Sequence, residues 1–345
     1  MHMADALLSP AVAAVMYASS AAVSAASVKT LKKDEDAAKL PTMAVTSALV
    51  FAGQMINYTI PGTGSSGHIC GGMLLSALLG PQAGFLSMVV ILAIQALFFA
   101  DGGLLALGAN IWNMAFYGCF VGYYLIWRPI MRSGRLASRT KIILASVLGC
   151  VVTLQLGAFS VVLETTASGI TELPFAAFAA IMQPIHLAIG LVEGLITSAV
   201  LLFVHKARPE LLMDAGASEG GALSLKKTLV ILAAAAIVVG GGLSLFASSN
   251  PDGLEWSLFG NSEAGYTDNM GLNEDSFGLS GSASEAAESI QSKTAVLPDY
   301  SFAGSDSAAG TSVSGIVGAA TVAVFAAAVC FAGGFFRKRR AAESK

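Results

Sequence analysis

The stretch Ile69-Cys-Gly-Gly-Met-Leu-Leu-Ser-Ala-Leu-Leu-Gly-Pro-Gln-Ala-Gly84 decides how the chain is threaded. The apolar run that it opens continues to Ala100, and two readings compete. As one long helix it would send Leu104–Trp127 outward across a membrane. Arg128, Arg132, Arg135, Arg139 and Lys141 would then lie outside, against the tendency of basic loops to stay cytoplasmic. A break at Gly80-Pro81 removes the conflict, because proline disrupts a helix interior and suits a first turn. Ile69–Leu79 then descends, Gln82–Ala100 ascends, Leu104–Trp127 descends, and the arginine cluster is cytoplasmic. The first descending piece is short for the ~20 residues of a full span. Short or glycine-interrupted spans are often where a transporter binds its cargo.

That a membrane is involved follows from composition. Of 345 residues, 55% are hydrophobic and only 12% charged, with a mean hydropathy of +0.71. A soluble protein carries about a quarter charged residues. The four cysteines are scattered through apolar stretches with no CxxC, which indicates neither a zinc knuckle nor a disulfide framework. No Walker A motif is present, so the chain is not expected to hydrolyse ATP unaided. No resident cofactor and no nucleic-acid partner are expected.

Outward from the break, further spans are predicted at Ala6–Val28, Thr42–Tyr58, Thr140–Leu163, Pro174 to about His205, Thr228–Ala247 and Ile316–Phe336. The first is not read as a secretory signal, because no basic residue precedes its apolar stretch. Basic clusters at Lys29–Lys33, Arg128–Lys141, His205–Arg208 and Arg337–Arg340 all fall on one side. The expected fold is an all-α polytopic membrane bundle with about seven spans in an N-terminal module (1–208) and two in a C-terminal module (226–345). A cytoplasmic linker (209–225) joins them. The chain is placed in the plasma (inner) membrane, N-terminus extracytoplasmic and C-terminus cytoplasmic. An outer segment of about 248–314 is rich in Ser, Gly and acidic residues (Glu263, Asp268, Glu274, Asp275, Glu285, Glu288, Asp299, Asp306), which argues against a packed core there.

The outer face carries the candidate chemistry. Met1 and His2 offer three nitrogens in a small arc: the α-amine, the His2 amide and an imidazole nitrogen. Amine and amide close a five-membered chelate ring, and amide with Nδ1 closes a six-membered one. Metals that favour a planar nitrogen field, Ni(II) and Cu(II) above all, can drive loss of the amide proton. The glycine loop Gly62-Thr-Gly-Ser-Ser-Gly-His68 puts a second histidine on the same face, able to fill the fourth corner. Without a metal, His2 is a residue of a frayed end and His68 faces water. Asp5, Asn110 and Asn113 are candidates to support the ligands. The two asparagines share a helical face and could equally bond between helices, as could Gln95. His186 and Glu193 share a face of the long helix opened by Pro174, read as a contact surface for another subunit.

These residues also resemble a known family. Met1-His2-Met3-Ala4-Asp5, Gly62–Gly72, Gln95–Gly103, Leu107–Ala115 and Gln183-Pro-Ile-His-Leu-Ala-Ile-Gly-Leu-Val-Glu-Gly194 look like the CbiM/NikM proteins, over roughly Met1–Arg208. Those are substrate-binding membrane components of energy-coupling-factor transporters for cobalt and nickel. Pro251-Asp-Gly-Leu-Glu-Trp256 is similar to the small NikN-type partner, so the chain looks like a fusion of the two. The resemblance implies seven spans in the first module and a transported Ni2+ or Co2+ held by Met1, His2 and His68. It also implies a separate transmembrane coupling protein and a pair of cytoplasmic ATPases. The Pro251–Trp256 motif is expected to affect transport, by docking over the entrance, rather than equilibrium affinity.

Two other classes compete. A membrane metalloenzyme would draw on His186, Glu193 and Asp101, but there is no HExxH and the three lie at different depths. A purely structural scaffold would leave the outer histidines without a role.

Overall fold

The computed structural model describes residues 1–31, 39–134, 137–215, 221–262, 264–265, 270, 272, 278–305 and 307–343. Lys32, Lys33, Arg135, Glu263, Asp268, Glu274, Asp275, Asp306 and the side chains of Arg337–Arg340 lie outside what is described.

The helices are α1 (Pro10–Leu31), α2 (Lys39–Gln54), α3 (Gly72–Leu79) and α4 (Pro81–Phe99). A fifth rod, α5, is α-helical over Leu107–Asn110, π-helical over Ile111–Trp127 and α-helical again over Arg128–Arg132. Then follow α6 (Ser138–Ala167), α7 (Phe175–Ala207), α8 (Leu225–Gly241), α9 (Gly253–Phe259), α10 (Ser282–Thr294) and α11 (Ala308–Glu343). Among the described residues, six helical segments are long and apolar enough to cross a membrane: α1, α4, α6, α7, Leu225–Phe246 and Ala308–Phe331. The outward faces of α6, α7 and α8 are apolar, with Leu148, Leu195, Val230 and Ile237 all exposed, as a lipid-facing surface requires.

The chain breaks at Gly80-Pro81. Gly80 takes a φ of 80°, a left-handed value that suits glycine, and Pro81 opens α4 at its first turn. A Cβ at Gly84 would lie 2.9 Å from Ser76 N, so α4 folds straight back along α3. The residues read as cytoplasmic gather at one end. Met213 N donates to Ala77 O at 2.8 Å, and Arg132 Nε donates to Asp214 Oδ1 at 2.8 Å. Glycines let the helices approach: a Cβ at Gly118 would lie 2.9 Å from Gly72 Cα.

Three expectations are corrected. The second helix ends at Gln54 rather than Tyr58, and Tyr58 opens a hairpin in which Tyr58–Ile60 pairs antiparallel with Ser65–Gly67. The glycines of the loop make its turn: Gly62 and Gly64 have φ of 77° and 70°. The outer segment is not without packed structure. Within it α9 and α10 form, Gln291 Nε2 donates to Ala96 O (2.9 Å) and Gly102 O (2.7 Å), and Tyr300 stacks on Phe99 at 4.8 Å. Composition under-reads this segment because the surface it covers belongs to the first half of the chain. Finally, His186 and Glu193 are each 1% exposed and packed within this chain, so they form no surface for another subunit.

Candidate metal centre

The first residues do not fray. They run inward along α5, and Met1 and Met3 are buried. Asn110 grips the backbone of Met3 on both sides: Met3 N donates to Oδ1 at 2.7 Å, and Nδ2 donates to Met3 O at 3.2 Å. Gly103 N also donates to Met3 O at 2.9 Å. Asp5 Oδ1 accepts from Ala106 N at 3.0 Å, tying the next turn to the start of α5. Asn110 and Asp5 therefore place the terminus; neither hydrogen-bonds an imidazole of the described residues. Asn113 donates to Glu164 Oε2 at 2.8 Å and, more weakly, to the Met3 sulfur at 3.6 Å.

His68 follows β2. Its Nδ1 lies 3.0 Å from Ile69 O, so that nitrogen carries the hydrogen and Nε2 keeps a lone pair. That lone pair faces the Met1 amine at 3.2 Å. A metal–nitrogen bond of about 2.0 Å puts neighbouring corners of a square about 2.8 Å apart. Amine and Nε2 thus stand within a few tenths of an ångström of the spacing that two adjacent ligands need. The segment after His68 is held by Glu193, whose Oε2 and Oε1 accept from Cys70 N (2.9 Å) and Gly71 N (2.8 Å).

The His2 ring stacks on His68, centroids 5.2 Å apart and planes 20° from parallel. Its Nδ1 is 3.1 Å from Asp101 Oδ1, and its Nε2 is 3.2 Å from Gln95 Oε1. Gln95 Nε2 donates to Gln54 Oε1 at 2.9 Å, and Gln54 Nε2 to Cys70 O at 2.7 Å. A polar chain therefore runs from the His2 ring behind the site to the segment that follows His68. Tyr300, from the outer segment, donates its hydroxyl to Asp101 Oδ2. For His2 Nδ1 to bind a metal it must leave Asp101.

The C-terminal half supplies what sequence reading missed. Ser66 N donates to Pro251 O at 2.8 Å, so the Pro251–Trp256 stretch lies along the glycine-loop hairpin. Asp252 caps α9, accepting from Leu254 N (2.8 Å) and Glu255 N (2.9 Å). With its other oxygen it accepts from the Met1 ammonium at 2.6 Å. The motif thus touches the Met1 amine directly. Its Pro-Asp-Gly signature was legible, but nothing local in it points to Met1.

Charge follows this geometry. Burial opposes a charge on the Met1 amine, but the Asp252 carboxylate outweighs it and the amine's pKa is raised above 8.0. Burial pushes Asp252 up, yet the Met1 ammonium and the α9 amides hold it well below the usual carboxylate range. His68 is pushed well below its ordinary value, by burial first and then by the adjacent ammonium, so its ring is neutral and ready to ligate. Above the site opens a cavity of about 850 Å³ lined by His2, His68, Asp101, Asp252, Glu255 and Tyr300, among others. Its acidic wall favours cations. Asp101 meets His2 there, but His186 and Glu193 each serve separate contacts, so the hydrolase set of Asp101, His186 and Glu193 does not assemble.

Fold and site together define a multi-pass membrane protein with a nitrogen-rich pocket at one end of its bundle. The chain belongs to the CbiM family: the profile described as the cobalt uptake substrate-specific transmembrane region matches residues 2–211, and that of the PDGLE domain matches residues 226–333. A chain of Archaeoglobus fulgidus described as a NikMN fusion is 34% identical over 325 residues, which is 93% of this chain and 95% of that one. The cobalt transport protein CbiM of Sorangium cellulosum is 34% identical over 52% of this chain and 80% of its own length. A crystal structure titled as a transition metal transporter is 37% identical, covers 60% of this chain and 93% of its own, and superposes with a TM-score of 0.51.

Proposed function

We propose that the chain is the metal-capturing membrane component of an energy-coupled uptake system for Ni2+ or Co2+. Its ligands are the Met1 amine, the His2 amide, His2 Nδ1 and His68 Nε2, in a near-planar set. The observation that carries this reading is the 3.2 Å approach of the Met1 amine to His68 Nε2, with the His2 ring stacked alongside. Among the described residues, the backbone terminus and no side chain brings an amine to that point. Relatives named as nickel and cobalt transport proteins support the choice of cargo. The ion enters through the acidic cavity from outside the cell. It displaces the amine's proton and the Asp252 contact, and draws His2 Nδ1 off Asp101. Binding releases protons, because amine and amide must both lose theirs. Energy comes from a separate coupling protein and a pair of cytoplasmic ATPases. Residues 1–208 form the capturing module, and 226–345 the module that presents Asp252 to it.

The test is nickel titration of the purified chain with and without one extra residue before Met1. The extension keeps every side chain but moves the amine and redraws each chelate ring, so binding should be lost. His68→Ala removes one corner and should weaken binding less. Parent-like nickel affinity in a confirmed extended chain would overturn the amino-terminal site.

A further inference from the structure

His186, on α7, has no part in the site above, yet it borders it. Its Nδ1 is 2.8 Å from Met182 O, so the hydrogen sits there and Nε2 presents a lone pair. The residue is 1% exposed, and Nε2 has no hydrogen-bond partner. Buried polar atoms are rarely left so. The ring lines a small cavity of about 10 Å³ whose other walls include Met1, His68, Cys70 and Asp252, with room for one water-sized atom. Gly253 keeps that space open. A Cβ there would lie 3.2 Å from His186 Cε1 and 3.3 Å from Nε2, and 2.7 Å from Ile189 Cδ1.

We infer that His186 Nε2 is an apical donor to the captured ion, reaching it through this cavity from one side of the plane that Met1, His2 and His68 define. The inference rests on the planar nitrogen site proposed above. A planar set leaves the axial positions open, and two of its in-plane donors share a cavity with an imidazole whose tautomer is already set for ligation. Imidazole suits both candidate metals. Their electron counts do not treat an apical donor alike. Low-spin Co(II) has a half-filled orbital along the axis and gains from a fifth ligand. Low-spin Ni(II) has that orbital filled and gains nothing. His186 is therefore a specificity-determining residue that favours cobalt over nickel.

The experiment is electron paramagnetic resonance of the full purified chain loaded anaerobically with Co(II) alone. The expected spectrum is low-spin, with each parallel cobalt line split into three by one apical 14N nucleus. Protein grown with 15N-histidine should show two components instead of three. His186→Phe should remove the splitting and lower cobalt affinity about tenfold, with nickel affinity close to the parent's. A low-spin spectrum with unsplit lines overturns the apical role and leaves the planar site standing; it is also what Asp252 as the apical ligand would give. A triplet unchanged by the label overturns it too, because the nitrogen is then not histidine's. A high-spin cobalt spectrum overturns the planar site itself and the apical role with it. The labelled spectrum is obtained on the parent chain, so an unsplit or label-insensitive pattern overturns the apical role even if His186→Phe does not fold, and loss of the splitting in that variant tells His186 from the other labelled histidines.

Discussion

The Met1 ammonium and the Asp252 carboxylate meet at 2.6 Å across 251 residues of sequence. The pair joins the residue just before one matched region, 2–211, to the motif of the other, 226–333. It also sets a condition for capture. The contact holds the terminus in place and keeps its amine protonated, a form that cannot ligate a metal.

Asp252→Asn tests that condition. Asparagine still caps α9, so the helix should survive. The carboxylate raises the amine's pKa, and its removal lets the amine deprotonate at lower pH. The pH midpoint of nickel binding should therefore shift downward in the variant. An unchanged or raised midpoint, measured by titration across pH, would show that Asp252 does not govern the amine.

The same pair predicts a stability window. Asp252 is depressed in the folded state, so its contribution is present above its ordinary 3.8 and lost as pH falls through the folded value. The Met1 amine is raised, so its contribution is present below its ordinary 8.0 and lost as pH rises through the folded value. Thermal stability of the metal-free protein should thus plateau between about pH 4 and 8 and fall on both sides. Asp252→Asn should lower and flatten the plateau. A parent profile with no fall above pH 8 would contradict the burial of a charged amine.

Glu193→Gln tests the frame of His68. One carboxylate accepts from two amides, Cys70 N and Gly71 N. Glutamine has one oxygen to offer and turns its own N–H groups on the other donor. The expected loss is about 1–3 kcal/mol of stability, with weaker nickel binding because His68 lies two residues away. Melting and titration both read it, and parent-like values in both would discount the role.

Orientation is checked with reporters. One fused after Arg340 should read cytoplasmic, and one inserted near Gly281 should read extracytoplasmic, because the basic clusters share one side. Equal readings would break the threading.

How much of this was legible in the chain depends on how local each cause is. Helices, membrane and the break at Gly80-Pro81 follow from apolar runs, basic clusters and the dihedral limits of two residues, all of which act over a few positions. Met1, His2 and His68 stood out because their donor atoms and the glycine loop are properties of short segments. The partners of those atoms were not legible. Gln95 reads as any intramembrane amide until packing sets its oxygen 3.2 Å from His2 Nε2. His186 reads as half of a helix face until α9 arrives over it at Gly253. Asp252 reads as a helix cap, and it is one. That it also holds the first residue depends on how helices far apart in sequence pack. The close crossings at Gly72 with Gly118 and at Gly240 with Gly315 are decided only when the tertiary structure forms. Spacing along a chain determines which groups can share a helix face or a chelate ring. Contacts between distant segments are chosen by the shape of the packed bundle, and that shape decides what stands opposite the amine.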